Sequence, residues 1–496
     1  MARASMATMR LSPGLVLCFA ACGSVSETPI GADATGAIDA ADPIDAADPI
    51  DAAPAAWIGD VLDCGRPASA GGLSPGSELQ RVNLDATAFP GAVCNDGTRA
   101  FFYVRPAATP AARNRWVIQL QGGGGCGNPD DCAARWCSVD TNFGMTQMTN
   151  TLSPAMGIAG NGILARGGAL GEPNALGDYN QVFIRYCSSD AWAGTAGAVD
   201  VDSHHPITGA PVRFRIAFAG ATIIDAVLAT MRRDGAAPPP YTLGGGSVAL
   251  PDLDDAEAVV LAGASAGGAG TIQNADRVRE YLRAHNTACA GATCPLTYLA
   301  IIDSILKPDY ASLDWSTSTP CTMGGLCTYQ AAMTADAGAL HGRQADASCA
   351  TWHAAHDPAT AWRCNDDGHI VRHHVTSPFV VRMGLTDELI SSNMIDAMFT
   401  VPGRGLMTLA SFADLLRADL LALPTSTPEE PFARPPAVFG PPCAKHETLS
   451  NDDATFGATV VAGGAPRTFG AVIAAFASGG TPTTAVWGQG DPVDCM

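Results

Sequence analysis

The stretch Ala258-Val259-Val260-Leu261-Ala262-Gly263-Ala264-Ser265-Ala266-Gly267-Gly268-Ala269-Gly270 decides how the rest of the chain is read. An apolar run stops at a Gly-x-Ser-x-Gly, and helical spacing follows at Ile272, Val278, Tyr281 and Leu282. A serine on a sharp strand-to-helix turn needs small neighbours, which Gly263, Ala264, Ala266, Gly267 and Gly268 supply. In a chain with 54 glycines the bare motif arises by chance. Its place between a Val-Val-Leu strand and a helix makes it a nucleophile elbow, with helix-side amides available to a developing oxyanion. The plainer reading is a turn packed with small residues for a tight crossing.

Outward from the elbow, residues 101–104, 116–120, 181–187, 297–303 and 378–383 read as apolar strands. Helical spacing over 214–231 places Ile216, Ile223, Ile224, Val227 and Leu228 on one side. This alternation predicts an α/β fold with a mainly parallel central sheet flanked by helices, and chemistry at the strand C-terminal ends. Residues 307–377 are irregular, carrying Cys321, Cys327, Cys349, Cys364 and six of the ten histidines. We expect there a disulfide-stapled insertion that forms a lid or pocket wall. Residues 424–442 read as proline-rich loop, and a short helical pattern begins near Thr468.

Length and charge bound the answer. With 496 residues and 47% hydrophobic content, a single large domain over 57–496 is expected. A formal charge of -20 argues against nucleic acid as a partner. Residues 1–22 fit an export signal, since Arg3 and Arg10 precede an apolar run too short to span a bilayer. Phe19-Ala20-Ala21-Cys22-Gly23 resembles a bacterial lipobox, which makes Cys22 the lipidation candidate and a lipid anchor the expected tie to a membrane. The expected location is a bacterial outer membrane or the medium. Residues 23–56 hold a repeated Ile-Asp-Ala-Ala-Asp-Pro and no basic or aromatic residue, as in an extended acidic tether. Fourteen cysteines remain beyond the leader, an even number that suggests disulfides in an oxidising compartment.

A serine nucleophile needs a base and an acid to orient it, and on this kind of sheet the chain order is Ser, then Asp or Glu, then His. Asp303 and Asp387 both follow strands. If Asp387 is the acid, His446 is the base by order alone, being the only later histidine. If Asp303 is the acid, six histidines from His341 to His374 compete with His446 as the base. The run Gln121-Gly122-Gly123-Gly124-Gly125-Cys126 leaves an apolar strand directly, as an oxyanion loop does. Cys349, His353, His356, Cys364, His369, His373 and His374 include zinc-ligand types, but the spacing matches no standard finger and disulfides compete. No metal or cofactor is expected.

Gln121 to Cys126 with Cys132 and Arg135, Tyr186-Cys187-Ser188-Ser189-Asp190-Ala191-Trp192-Ala193-Gly194, the elbow, Asn274 to Val278, Phe379 to Val381 with Asp387-Glu388, and Cys443 with His446 together resemble the pectin acetylesterase and Notum family, in family order. The resemblance implies an α/β-hydrolase-like fold and carboxylic ester hydrolysis without a metal. By motif, Ser265 resembles the nucleophile, Asp387 the acid and His446 the base, with amides of Gly123, Gly124 and Ala266 as oxyanion donors. It also implies the disulfides Cys126–Cys132 and Cys94–Cys187. Two departures stand out: Gln121 replaces the usual Glu, and Gly124 and Gly125 stand where the family carries an aromatic residue.

The resulting expectation is an exported serine esterase that removes short acyl groups, acetyl foremost, from a carbohydrate. A long-acyl lipid deacylase of the same fold is the nearest alternative. An inactive surface-binding protein is the rival from another class, and it would have no need of Ser265, Asp387 and His446 together.

Overall fold

The computed structural model describes residues 54–65, 73, 75–138, 144–167, 174–232, 241–243, 246–248, 250–290, 293–335, 338–425, 434–450, 457–462 and 464–488. The leader with Cys22, and the tether as far as residue 53, lie outside them. Ten strands form one sheet: β1 (Pro75–Asn83), β2 (Phe101–Arg105), β3 (Arg115–Leu120), β4 (Gly157–Ile158), β5 (Asn180–Ile184), β8 (Ala258–Ala264), β9 (Thr297–Asp303), β10 (Phe379–Arg382), β11 (Ala437–Gly440) and β12 (Thr484–Val486). A separate hairpin of β6 (Gly197–His204) and β7 (Pro211–Phe218) stands apart from it.

The sheet order is β12-β11-β10-β9-β8-β3-β5-β2-β1-β4. From β12 to β5 every neighbour is parallel, and β2, β1 and β4 extend that edge antiparallel. The fold is thus α/β-hydrolase-like and mainly parallel, with several disulfides. Both faces are covered, so the central strands are continuous apolar runs and not alternating ones. In β8, Val259 and Leu261 join one core with Ile223, Val227, Val278 and Leu282. Val260 and Ala262 join the opposite core with Phe469, Val472, Ile473 and Phe476. Each such buried aliphatic or aromatic side chain contributes about 1.5–3 kcal/mol relative to exposure.

Eight helices matter here: α1 (Pro129–Cys137), α2 (Gly220–Met231), α3 (Ala266–His285), α4 (Ala347–His356), α5 (Asp367–His373), α6 (Glu388–Asp396), α7 (Leu409–Ala422) and α8 (Phe469–Ala477). The helical spacing expected over 214–231 is divided by the structure. Phe214 and Ile216 lie in β7, and the helix begins only at Gly220. Ile216 packs with Ile58, Leu62 and Trp136 in a third cluster, so its burial came from a hairpin that happens to extend the helical period. The loop expected over 424–442 contains β11, a buried parallel strand of four residues between prolines. Pro441 and Pro442 end β11 without breaking its pairing, because they stand beyond its last ladder residue.

Six disulfides join Cys64–Cys137, Cys94–Cys187, Cys126–Cys132, Cys289–Cys294, Cys321–Cys327 and Cys349–Cys364, and Cys443 is also bonded. Both pairs implied by the resemblance are present. Cys94–Cys187 closes a span of 93 residues, worth about 4–5 kcal/mol on a chain-entropy account. The 307–377 region packs on the main core through Tyr310, Trp315, Met333, Ile370 and Val371. Among the described residues, no helix is long and apolar enough to cross a membrane.

Candidate active site

Ser265 joins β8 to α3 with φ +54°, a left-handed conformation that a serine adopts only where its surroundings impose it. The neighbouring glycines are dictated by contact. A Cβ on Gly263 would stand 2.0 Å from the Gly267 carbonyl oxygen, one on Gly267 2.2 Å from that of Leu120, and one on Gly268 2.6 Å from that of Asp303. The elbow therefore sits pressed between the ends of β3 and β9. Ser265 itself is 8% exposed.

The glycine run leaves β3 along this elbow. A Cβ on Gly122 would meet the Ala264 carbonyl oxygen at 2.6 Å and Ser265 Cβ at 3.2 Å. Gly123 (φ +138°) and Gly124 (φ +66°) hold the loop in conformations closed to most side chains. The carbonyls of Gly122 and Gly123 are held by side chains. Arg135 Nη2 donates to the Gly123 carbonyl at 2.8 Å, and Gln147 Nε2 donates to that of Gly122 at 3.1 Å. Gln121, in place of the family's Glu, accepts from Arg185 Nη1 at 2.9 Å and from the Tyr186 amide at 3.2 Å. Among the described residues, the amides of Gly123, Gly124 and Ala266 donate to no protein acceptor.

The tyrosine-cysteine motif braces the same corner. Ser189, Ala191 and Trp192 all have positive φ, and Asp190 fixes the turn by accepting from Ser188 Oγ, Trp192 N and Gly220 N. Asn274 on α3 donates to the Trp192 carbonyl, and Arg277 in turn holds the Asn274 amide oxygen. These motif residues are scaffold for the serine turn.

Asp387 caps α6, accepting from the Leu389 and Ile390 amides, and is fully buried. His446 follows β11, and its Nδ1 lies 2.9 and 3.0 Å from the two Asp387 oxygens. Among the described residues, its buried Nε2 has no hydrogen-bond partner. Burial alone would push the imidazole down, but the Asp387 hydrogen bond and the charges of Asp387, Glu447 and Asp303 outweigh it and hold His446 above its ordinary value. Burial pushes the Asp387 carboxyl up, opposed by His446. The histidine turn lies against the serine turn: the Cβ position on Gly122 that meets Ser265 Cβ also meets Glu447 Oε1 at 2.4 Å.

Asp303, the other acid after a strand, is placed elsewhere. It is fully buried against Arg382, and its Oδ2 accepts the Thr448 and Leu449 amides at 2.9 Å each. Arg382 also donates to the His446 and Lys445 carbonyls. Asp303 and Arg382 thus hold the backbone of the loop whose ring Asp387 orients. Gln147, Arg382 and Glu447 escaped sequence reasoning. Glu447 had the one usable signal, its adjacency to His446; burial raises its carboxyl.

A mainly parallel sheet with a strained serine at one strand end and a carboxylate-backed histidine on the neighbouring loops defines a chain of the α/β-hydrolase-like class. Residues 75–292 match the pectinacetylesterase family. The palmitoleoyl-protein carboxylesterases notum1a of Danio rerio and NOTUM of Homo sapiens are 31% and 32% identical over 190 residues, 38% of this chain and 30% of each relative. The aligned part thus spans less than a third of those relatives' length. A crystal structure of the Wnt deacylase Notum from Drosophila superposes with a TM-score of 0.56 at 23% identity, covering 84% of this chain and 98% of that one. Together these matches support a member of the pectin acetylesterase and Notum family, with the family's own pattern matched over residues 75–292.

Proposed function

We propose that the chain is a serine carboxylesterase in which Ser265 attacks the ester carbonyl, His446 takes its proton and Asp387 orients His446. The observation that carries this reading is His446 itself. A buried carboxylate fixes Nδ1 as the donor, which leaves Nε2 with a lone pair and, among the described residues, no other partner beside the serine turn. The amides of Gly123, Gly124 and Ala266 would receive the oxyanion, and the leaving alcohol would be protonated by the imidazolium before water repeats the cycle. The direct test is turnover of p-nitrophenyl acetate by purified protein and its loss in Ser265→Ala.

For the substrate we favour short acyl groups, acetyl foremost, on a hydroxyl-bearing carbohydrate. Gly124 and Gly125 remove an aromatic wall, and with it apolar area worth roughly 25 cal/mol per Å² to a long chain. The charge of -20 disfavours a polyanion such as pectin relative to a neutral acetylated polymer. The palmitoleoyl-esterase relatives favour the long-acyl alternative. We further propose that residues 1–22 direct export, that Cys22 carries lipid, and that residues 57–496 form a single catalytic domain on an acidic tether. An unchanged membrane fraction in Cys22→Ala would refute the anchor.

A further inference from the structure

We propose that the Nε2 atoms of His353, His369 and His374 form a binding site for one transition-metal ion of the zinc class, buried in the insertion. His353 lies on α4, His369 on α5, and His374 caps α5, so residues 5 to 21 apart converge on one point. His369 Nε2 is 3.1 Å from His353 Nε2 and 3.3 Å from His374 Nε2. Zinc–nitrogen bonds of about 2.0–2.1 Å in a tetrahedron put ligand nitrogens about 3.3 Å apart. The rings are evenly spread around the point, with centroid separations of 5.3, 5.5 and 5.0 Å.

All three rings are buried, and an imidazole ligates through a nitrogen that carries no proton. His353 Nδ1 faces Thr360 Oγ1 at 2.9 Å and the Asp357 carbonyl at 3.4 Å, the outer contacts that turn a ligand's Nε2 inward. Imidazole donors suit zinc, copper and nickel. Cys349 Sγ lies within 4.8 Å of these nitrogens but is bonded to Cys364, so the fourth position falls to water or a small anion. The ion would clamp α4 to α5 beside that disulfide. This departs from the expectation of no metal, which rested on spacing along the chain.

Untagged, disulfide-intact protein, stripped with a chelator and dialysed against Zn²⁺, should retain one equivalent by plasma mass spectrometry, and its Tm should rise on reloading. Co²⁺ in its place should give visible d–d bands of a tetrahedral nitrogen site without thiolate charge transfer. His369→Ala should lose the retained equivalent, and His374→Gln should weaken binding at least about 100-fold, beyond the 10–100-fold cost of outer-shell losses. His204→Ala, at an exposed histidine beside Asp130, should bind as the parent does. Two outcomes overturn the site: folded parent protein that takes up none of Zn²⁺, Co²⁺ or Cu²⁺, or uptake that survives both His369→Ala and His374→Gln.

Discussion

Two histidine settings in this molecule differ in what stands behind the ring. Behind His446 is a buried carboxylate, and among the described residues its Nε2 has no protein partner. Behind His353 are a hydroxyl and a carbonyl, and its Nε2 faces that of His369. A carboxylate favours the charged ring and suits proton transfer, whereas burial, with neighbouring imidazoles adding to it, favours the uncharged ring at His369 and His374. The direction of each shift follows from the environment: His446 is held up, while His369 and His374 are pushed down.

The largest effect expected from this contrast is on turnover. His446→Ala should lower kcat by about 10⁶, the scale of losing a triad base, while His353→Ala in folded protein should keep ester hydrolysis near the parent rate. Steady-state kinetics on p-nitrophenyl acetate reads both. Asp387→Asn should cost about 10⁴, because an amide favours the wrong tautomer. Asp303→Asn should act through stability, since it removes a charge paired with buried Arg382; a folded Asp303→Asn enzyme with abolished turnover would reverse the assignment of the acid.

Smaller effects sharpen the site. A methyl on Gly123 would stand 1.7 Å from Gln147 Oε1 at a φ of +138°, so Gly123→Ala should displace the proposed oxyanion donor and lower kcat about 10²–10³-fold. In the pH profile, His446 must be neutral to act as base, so kcat/KM should climb with pH through an apparent value above the ordinary 6.5 or so of imidazole. An ascending limb centred below that value would contradict the Asp387 pairing. Across p-nitrophenyl esters, kcat/KM should peak at short chains. A maximum at about eight carbons or beyond would favour long-acyl substrates, with each buried methylene contributing about 0.8 kcal/mol.

The elbow was legible because sterics wrote it into composition. Gly263, Gly267 and Gly268 each face a backbone oxygen too near for a methyl group, and such positions show in a sequence as glycine. The parallel strands were legible as apolar runs, and β11 was missed because four residues between prolines carry no period. Position alone did not separate Asp303, which ends β9, from Asp387, which follows β10; only the family motif favoured Asp387. In the structure Asp387 reaches the ring and Asp303 the backbone of the same loop. Gln147 could not be found, since its role is one contact with Gly122 from a distant short turn.

The central claim is that Ser265 is a nucleophile activated by His446. Folded protein treated with a fluorophosphonate probe should gain one adduct, mapped by peptide mass spectrometry to the segment containing Ser265, with labelling abolished in Ser265→Ala and slowed severely in His446→Ala. An adduct on another residue, no adduct on folded protein, or undiminished labelling of Ser265→Ala would contradict it.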